Sequence, residues 1–174
     1  MARTARKQGV ELALHIAGLV WSHPNTARLR GGLVAATGVC FAIALATYNA
    51  ADPSLNAAAD AAPTNALGGA GATLADLGLQ SLGLVSGAGA LLMVVFGLSR
   101  ALSAHPDDTR GQIRLRTFTG FLGLLALAAF LAAPPAPGMW PLARGLGGFW
   151  GDGLLHATAG LIAYARLPFS TVIA

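Results

Sequence analysis

The sequence predicts an all-helical, multi-pass membrane protein, and three observations carry that prediction. Hydrophobic residues make up 55% of the 174 and charged residues only 10%, against about 25% charged in an ordinary soluble domain. So few Asp, Glu, Lys and Arg side chains cannot coat a water-facing surface, which argues against a soluble enzyme. Three uncharged runs, Gly31–Ala51, Leu77–Ser99 and Thr117–Ala133, approach or exceed the roughly 20 apolar residues that a helix needs to cross a bilayer. Nine of the eleven basic residues also fall in two segments, one before the first run and one between the second and third.

Taken in order, residues 1–30 read as a cytoplasmic segment with a short amphipathic helix over Gln8–Ser22. Glu11, His15, Gly18 and Ser22 recur at i, i+4, i+7 and i+11, one face of a helix. Leu12, Ile16, Leu19 and Val20 fall elsewhere, beside Arg3, Arg6 and Lys7, a pattern that suits the inner headgroup layer. A cleaved signal peptide is disfavoured, because Glu11 and His15 interrupt its apolar region and no A-x-A site follows.

The spans are expected at about 31–50, 75–99 and 117–133, the third stopped by Pro134-Pro135-Ala136-Pro137, through which no helix propagates. Gly68, Gly69, Gly71 and Gly78 make Leu67–Leu79 read as a flexible outer loop entering the second span. A fourth apolar helix is short, Gly153–Ala165 between Asp152 and Arg166. It either spans the membrane at about 151–167 or lies at the outer face over Leu154–Tyr164. The second arrangement is the expected one, with the true crossing starting near Pro168 and residues 168–174 its truncated beginning.

Arg28 and Arg30 before the first span, and Arg100, Arg110, Arg114 and Arg116 between the second and third, set the topology. By the positive-inside rule the N-terminus and the Arg100–Arg116 loop, with its His105-Pro106-Asp107-Asp108, are cytoplasmic. Asn49–Asp76 and Pro134–Trp150, which holds only Arg144, then face outward. Tyr48, Trp140, Trp150 and Tyr164 fall near span ends, where amphipathic rings favour the headgroup layer. Gly38, Ala42 and Ala46 in the first span, and Gly83 and Gly87 in the second, have the small-residue spacing that lets helices approach closely.

Catalytic, metal and cofactor residues are not expected. Lys7 is the single lysine and no phosphate-cradling motif occurs. His15, His23, His105 and His156 are scattered, and Cys40 in the first span reads as a buried free thiol. Asp152 and His156 could share a helix face at the interface. Asp76, four residues before Gln80, reads as an acid complementing the dipole at the start of the second span. Juxtamembrane Arg114 and Arg116 suit anionic lipid better than DNA, so the partners expected first are the bilayer and membrane proteins, without direct nucleic-acid contact. The spans carry no ionisable or strongly polar residue in mid-membrane apart from a few hydroxyls such as Thr37, Ser81 and Ser86, which disfavours a transporter or channel subunit.

Three stretches go further. Tyr48-Asn49-Ala50-Ala51-Asp52-Pro53-Ser54-Leu55-Asn56 places a D-P-S turn after an aromatic at the end of the first span. Asn65-Ala66-Leu67-Gly68-Gly69-Ala70-Gly71-Ala72-Thr73-Leu74-Ala75-Asp76 carries N-x-x-G, G-A and L-A-D, and Gly147-Gly148-Phe149-Trp150-Gly151 precedes the last apolar segment. In that order, over residues 28–165, they resemble the membrane anchor of bacterial FtsK/SpoIIIE-type DNA translocases. The signature positions are Tyr48, Asp52, Pro53, Ser54, Asn65, Gly68, Gly71, Leu74, Ala75, Asp76, Gly147, Gly148 and Gly151. Read from the residues, Asp52-Pro53-Ser54 is a tight turn in which Asp and Ser bond the local backbone.

The resemblance implies a four-helix anchor over 31–167 that sits in the inner membrane at the division septum. It further implies contacts with other division proteins and a hexameric assembly when joined to an ATP- and magnesium-dependent motor. That motor has no counterpart here, so no enzymatic activity and no cofactor are expected of this chain. A stand-alone division scaffold is the rival reading.

Overall fold

The computed structural model describes residues 2–55, 60–102, 110–142 and 144–165, with only the backbone for 2–8 and 110. Among the described residues there are six helices and no strand: α1 Ala2–Ser22, α2 Pro24–Ala46, α3 Gly68–Leu82, α4 Val85–Leu102, α5 Arg110–Ala132 and α6 Gly148–Tyr164. Three are long and apolar enough to cross a membrane: α2, α4 and α5 from Gly111 to Ala132. The chain is an all-helical, multi-pass membrane protein.

The first break follows from His23-Pro24. His23 adopts an extended backbone and its Nδ1 accepts the Asn25 N–H at 3.2 Å. Pro24 then starts α2, where its missing N–H costs nothing. The helix begins earlier than the expected 31–50 span and ends at Ala46, so Arg28 and Arg30 lie inside its first turns.

α2 and α4 run antiparallel and make the closest pairing of the bundle. The seam is built from backbone. A Cβ on Gly31 would stand 2.5 Å from the Ala101 nitrogen, and one on Gly38 would stand 2.8 Å from the Val94 nitrogen. Gly97 in turn lies directly against Ala35 and the Gly31 carbonyl. The stripe is therefore Gly31, Ala35 and Gly38; Ala42 and Ala46, expected in it, point outward. Cys40 is exposed on α2 rather than buried, because only a narrow side of the helix meets α4.

The expected second span, 75–99, is not one helix. α3 ends at Leu82, Gly83 takes φ 61°, and α4 starts at Val85. Hydropathy is blind to this break, since no charge marks it. The Ser86 hydroxyl donates to the Gly78 carbonyl across the corner, a contact that a continuous helix would hold ~12 Å apart at 1.5 Å per residue. The glycine-rich stretch expected to be a flexible loop is α3 itself, packed on α2 through Phe41 against Gly78.

α5 and α6 form a second pair, joined to the first through the α3–α4 corner. Leu124 of α5 faces Gly89 of α4, so the Arg110 end of α5 is level with the Leu102 end of α4. Gly147 and Gly151 at the start of α6 lie on the Ala128 carbonyl of α5. From there the less exposed positions of α6 are Gly151, Asp152, Leu154, Leu155, Ala159 and Ile162, four of which, Gly151, Leu155, Ala159 and Ile162, recur at i, i+4, i+8 and i+11 on one side of the helix. The expectation of a crossing that begins near Pro168 lies outside the described residues. The wholly buried apolar side chains are small, Ala35, Ala44, Ala72, Ala75, Ala90 and Ala128 with Val85, while Leu91 and Phe130 stay 62% and 72% exposed. An apolar outside around a small-residue inside is how helices pack in lipid.

Candidate functional site

The signature residues gather at one end of the bundle, where α2 stops, α3 lies across and α4 and α6 begin. α2 leaves carbonyls of its last turn without intrahelical partners, as every helix must. Asn65 answers them from eighteen residues on: its Nδ2 donates to the carbonyls of Ala44 (2.8 Å) and Thr47 (3.1 Å). Its Oδ1 accepts from Leu67 N at 3.1 Å, and its carbonyl accepts from Gly68 N. One side chain thus closes α2 and sets the entry to α3. Gly71 leaves room for it, since a Cβ there would collide with the Asn65 amide.

Asp52 holds Asn65 in place. Its carboxylate accepts from Thr64 N and Thr64 Oγ1, both at 2.8 Å, and from Asn65 N at 2.9 Å. The bond from Thr64 N leads the group of donors that hold this carboxyl below its ordinary pKa, against an opposing effect of desolvation. The expected local turn is therefore only part of the picture: Asp52 N does bond the Asn49 carbonyl, but the carboxylate reaches across the loop.

Asp76 is the second buried acid. It accepts from Ser54 Oγ at 2.7 Å, Gln80 Nε2 at 2.9 Å and, more weakly, the Tyr48 hydroxyl at 3.4 Å. It lies within α3, not at a helix start, so its role is to gather three segments rather than to complement a dipole. Burial first, and the Asp76 charge second, raise the Tyr48 pKa. Of the other signature positions, Ala75 is buried, Leu74 exposed and Pro53 half-buried.

Gly68 begins α3 with φ 64°. Gly148 also has φ 64°, and a Cβ on it would stand 2.6 Å from the Gly83 nitrogen. Leu84 N donates to the Leu146 carbonyl at 2.9 Å beside it. Two glycines in left-handed conformations thus let the α3–α4 corner and the α6 start meet backbone to backbone, which no side-chain-bearing residue would permit.

At the opposite end of α2, Arg28 is exposed, and Arg30 donates to the Trp21 carbonyl at 2.8 Å with its guanidinium 4.0 Å over the Trp21 ring. Arg100 sits in the last turn of α4, and Arg114 and Arg116 are exposed on α5; Arg110 begins α5. The topology-setting residues thus share one end. His156 is exposed on α6 and Asp152 half-buried; the His105–Asp108 stretch lies outside the described residues. Among the described residues no three His, Cys, Asp or Glu side chains could hold a metal ion, and no buried side-chain nitrogen or oxygen lacks a partner. Two buried acids satisfied by neutral donors make a hydrogen-bonded cap at the α2–α3 end of the bundle.

Sequence reasoning missed Thr64, Thr47, Leu146 and the Trp21–Arg30 pair. A Thr preceding the Asn of N-x-x-G was the one signal in view.

The family described as the 4TM region of DNA translocase FtsK/SpoIIIE matches residues 26–165. The chain belongs to that family. The FtsK match extends to curated relatives: the DNA translocase FtsK of Caulobacter vibrioides is 51% identical over the whole chain, which covers 21% of that protein. Those of Rhizobium meliloti and Agrobacterium fabrum are 37% and 38% identical over 82% and 83% of the chain, and 16% of each protein. The chain thus spans about a fifth or less of the length of these FtsK relatives, and what it matches is the membrane region rather than the motor. No solved structure matches it.

Proposed function

We propose that this region anchors a DNA translocase in the bacterial inner membrane and holds it at the division septum. The observation that carries the reading is the coincidence of the 26–165 FtsK/SpoIIIE match with a cap built from the family-signature residues. The segregation of Arg28, Arg30, Arg100, Arg114 and Arg116 to the other end supports a cytoplasmic N-terminus. In this reading the cap formed by Asp52, Asn65 and Asp76 faces the periplasm and presents the outer loops to other division proteins. α6, running back along α5, is the fourth crossing and returns the chain to the cytoplasm, in place of a span starting near Pro168. The anchors associate as copies when the motor assembles. ATP, magnesium and DNA belong to the motor, and the anchor takes no cofactor.

Two measurements test this. Reporter fusions should score Asp107 as cytoplasmic and Asp60 as periplasmic, and a periplasmic signal at Asp107 would sink the topology. A fluorescently tagged 1–174 chain at native expression should concentrate at the septum of dividing cells. Uniform membrane fluorescence would remove the targeting role.

A further inference from the structure

α1 precedes the region that the FtsK/SpoIIIE match covers, and its described side chains are open apart from the Arg30 contact at Trp21. From Val10 to Ser22 every residue is exposed except half-buried Gly18. Glu11, His15 and Ser22 form one narrow polar stripe, and Ala13, Ile16, Ala17 and Val20 occupy the opposite side, an arrangement that water disfavours and an interface accepts. The direction of α1 is also constrained. Nine residues of straight helix would separate Trp21 from Arg30 by roughly 13 Å, yet Arg30 bonds the Trp21 carbonyl and covers its ring at 4.0 Å. The chain therefore turns off the α2 axis at His23, just where the apolar span begins. Charge selects the surface that it meets. Residues 1–30 carry Arg3, Arg6, Lys7, Arg28 and Arg30 against the single acid Glu11, and such juxtamembrane clusters attract anionic leaflets.

We propose that α1 lies flat on the anionic leaflet at the basic end of the bundle, held at that angle by the Arg30–Trp21 contact. Its Ala13–Ile16–Val20 side enters the acyl boundary, its Glu11–His15–Ser22 stripe faces water, and continuity with membrane-spanning α2 places it at that depth.

The test uses the full chain with Cys40→Ser and a single new cysteine, Ala13→Cys or His15→Cys, carrying an environment-sensitive dye. The two positions face nearly opposite sides of a helix. In vesicles with about 30% phosphatidylglycerol, the dye at 13 should be blue-shifted and quenched by spin-labelled lipid several-fold more than the dye at 15. The contrast should shrink in phosphatidylcholine alone. Equal, water-like emission at both positions in the anionic vesicles would overturn the proposal. So would a dye at 13 that is shielded from water, escapes the lipid quencher and cross-links to a second copy, since that face would then be a protein interface. Arg30→Gln should reduce the contrast at least threefold while a dye at Val95→Cys on α4 keeps its lipid quenching. An unchanged contrast would show that Arg30 does not set the angle.

Discussion

The two ends of α2 are finished in opposite ways. At Thr47 the helix runs into Asn65, Asp52 and Thr64, each bonded to the next. At Pro24 it is joined to α1 by the His23 cap and by Arg30 on Trp21. The first end is a network of neutral donors, from buried Asn65 to exposed Thr64, around two buried acids; the second is a basic hinge at the surface. A buried network leaves no partner unmade and so fixes one geometry. An exposed arginine contact contributes little by itself, which suits a surface that also meets lipid.

The sharpest break in the comparison should come from Asn65→Ala. It strands the Ala44 and Thr47 carbonyls and frees the α3 entry, so we expect a loss of about 2–3 kcal/mol. In detergent that is a melting temperature lower by roughly 5–10 °C. Asn65→Asp should do no better, because it keeps the acceptor and removes the donor. Asp76→Asn ranks next. The amide retains one acceptor but turns an N–H₂ toward donors from Ser54, Gln80 or Tyr48, at about 1–2 kcal/mol by the same thermal assay. A variant as stable as the parent would mean that Asp76 does not gather those segments. At the other end Arg30→Gln should cost less, about 1 kcal/mol or under, with the altered α1 environment as its main effect. Equal melting losses for Asn65→Ala and Arg30→Gln would erase the distinction between the two ends.

Acid is the gentlest probe. Because the folded Asp52 pKa lies below its ordinary value of 3.8, the stability it contributes is complete above that value and lost as the pH falls through the lowered one. Protease cleavage between Pro53 and Pro63 should therefore be flat from neutral pH to about 5 and rise only below about 4. A rise near pH 6 would point to a different group.

Much of this was legible in the chain itself. Apolar length and basic asymmetry suffice for the membrane class, and the D-P-S, N-x-x-G and G-G-x-x-G stretches for the family. What stayed hidden shares a physical cause. Hydropathy reports whether a side chain likes lipid, and Leu77–Ser99 likes it throughout, so the corner at Gly83 leaves no trace. The cap residues were named, but as turn-formers: Asp52 bonds a residue twelve positions on and Tyr48 one twenty-eight on, and no local rule reaches that far. Likewise Ala42 and Gly38 both belong to one small-residue spacing, and only the crossing of α2 with α4 decides that Gly38 faces inward and Ala42 outward.

The small-residue interior also governs how this molecule should respond to temperature. In a water-soluble domain, melting uncovers a large apolar core, and the hydration of that surface produces a steep heat-capacity increment and a domed stability curve. Here the buried positions are alanine, glycine and one valine, with the polar Asp52, Asn65, Asp76 and Ser86, and many large apolar side chains already face outward in the folded state. Separating the helices within a bilayer would transfer little hydrocarbon to water. The increment should accordingly be small and the stability curve shallow, with cohesion resting on close backbone contact rather than on the expulsion of water.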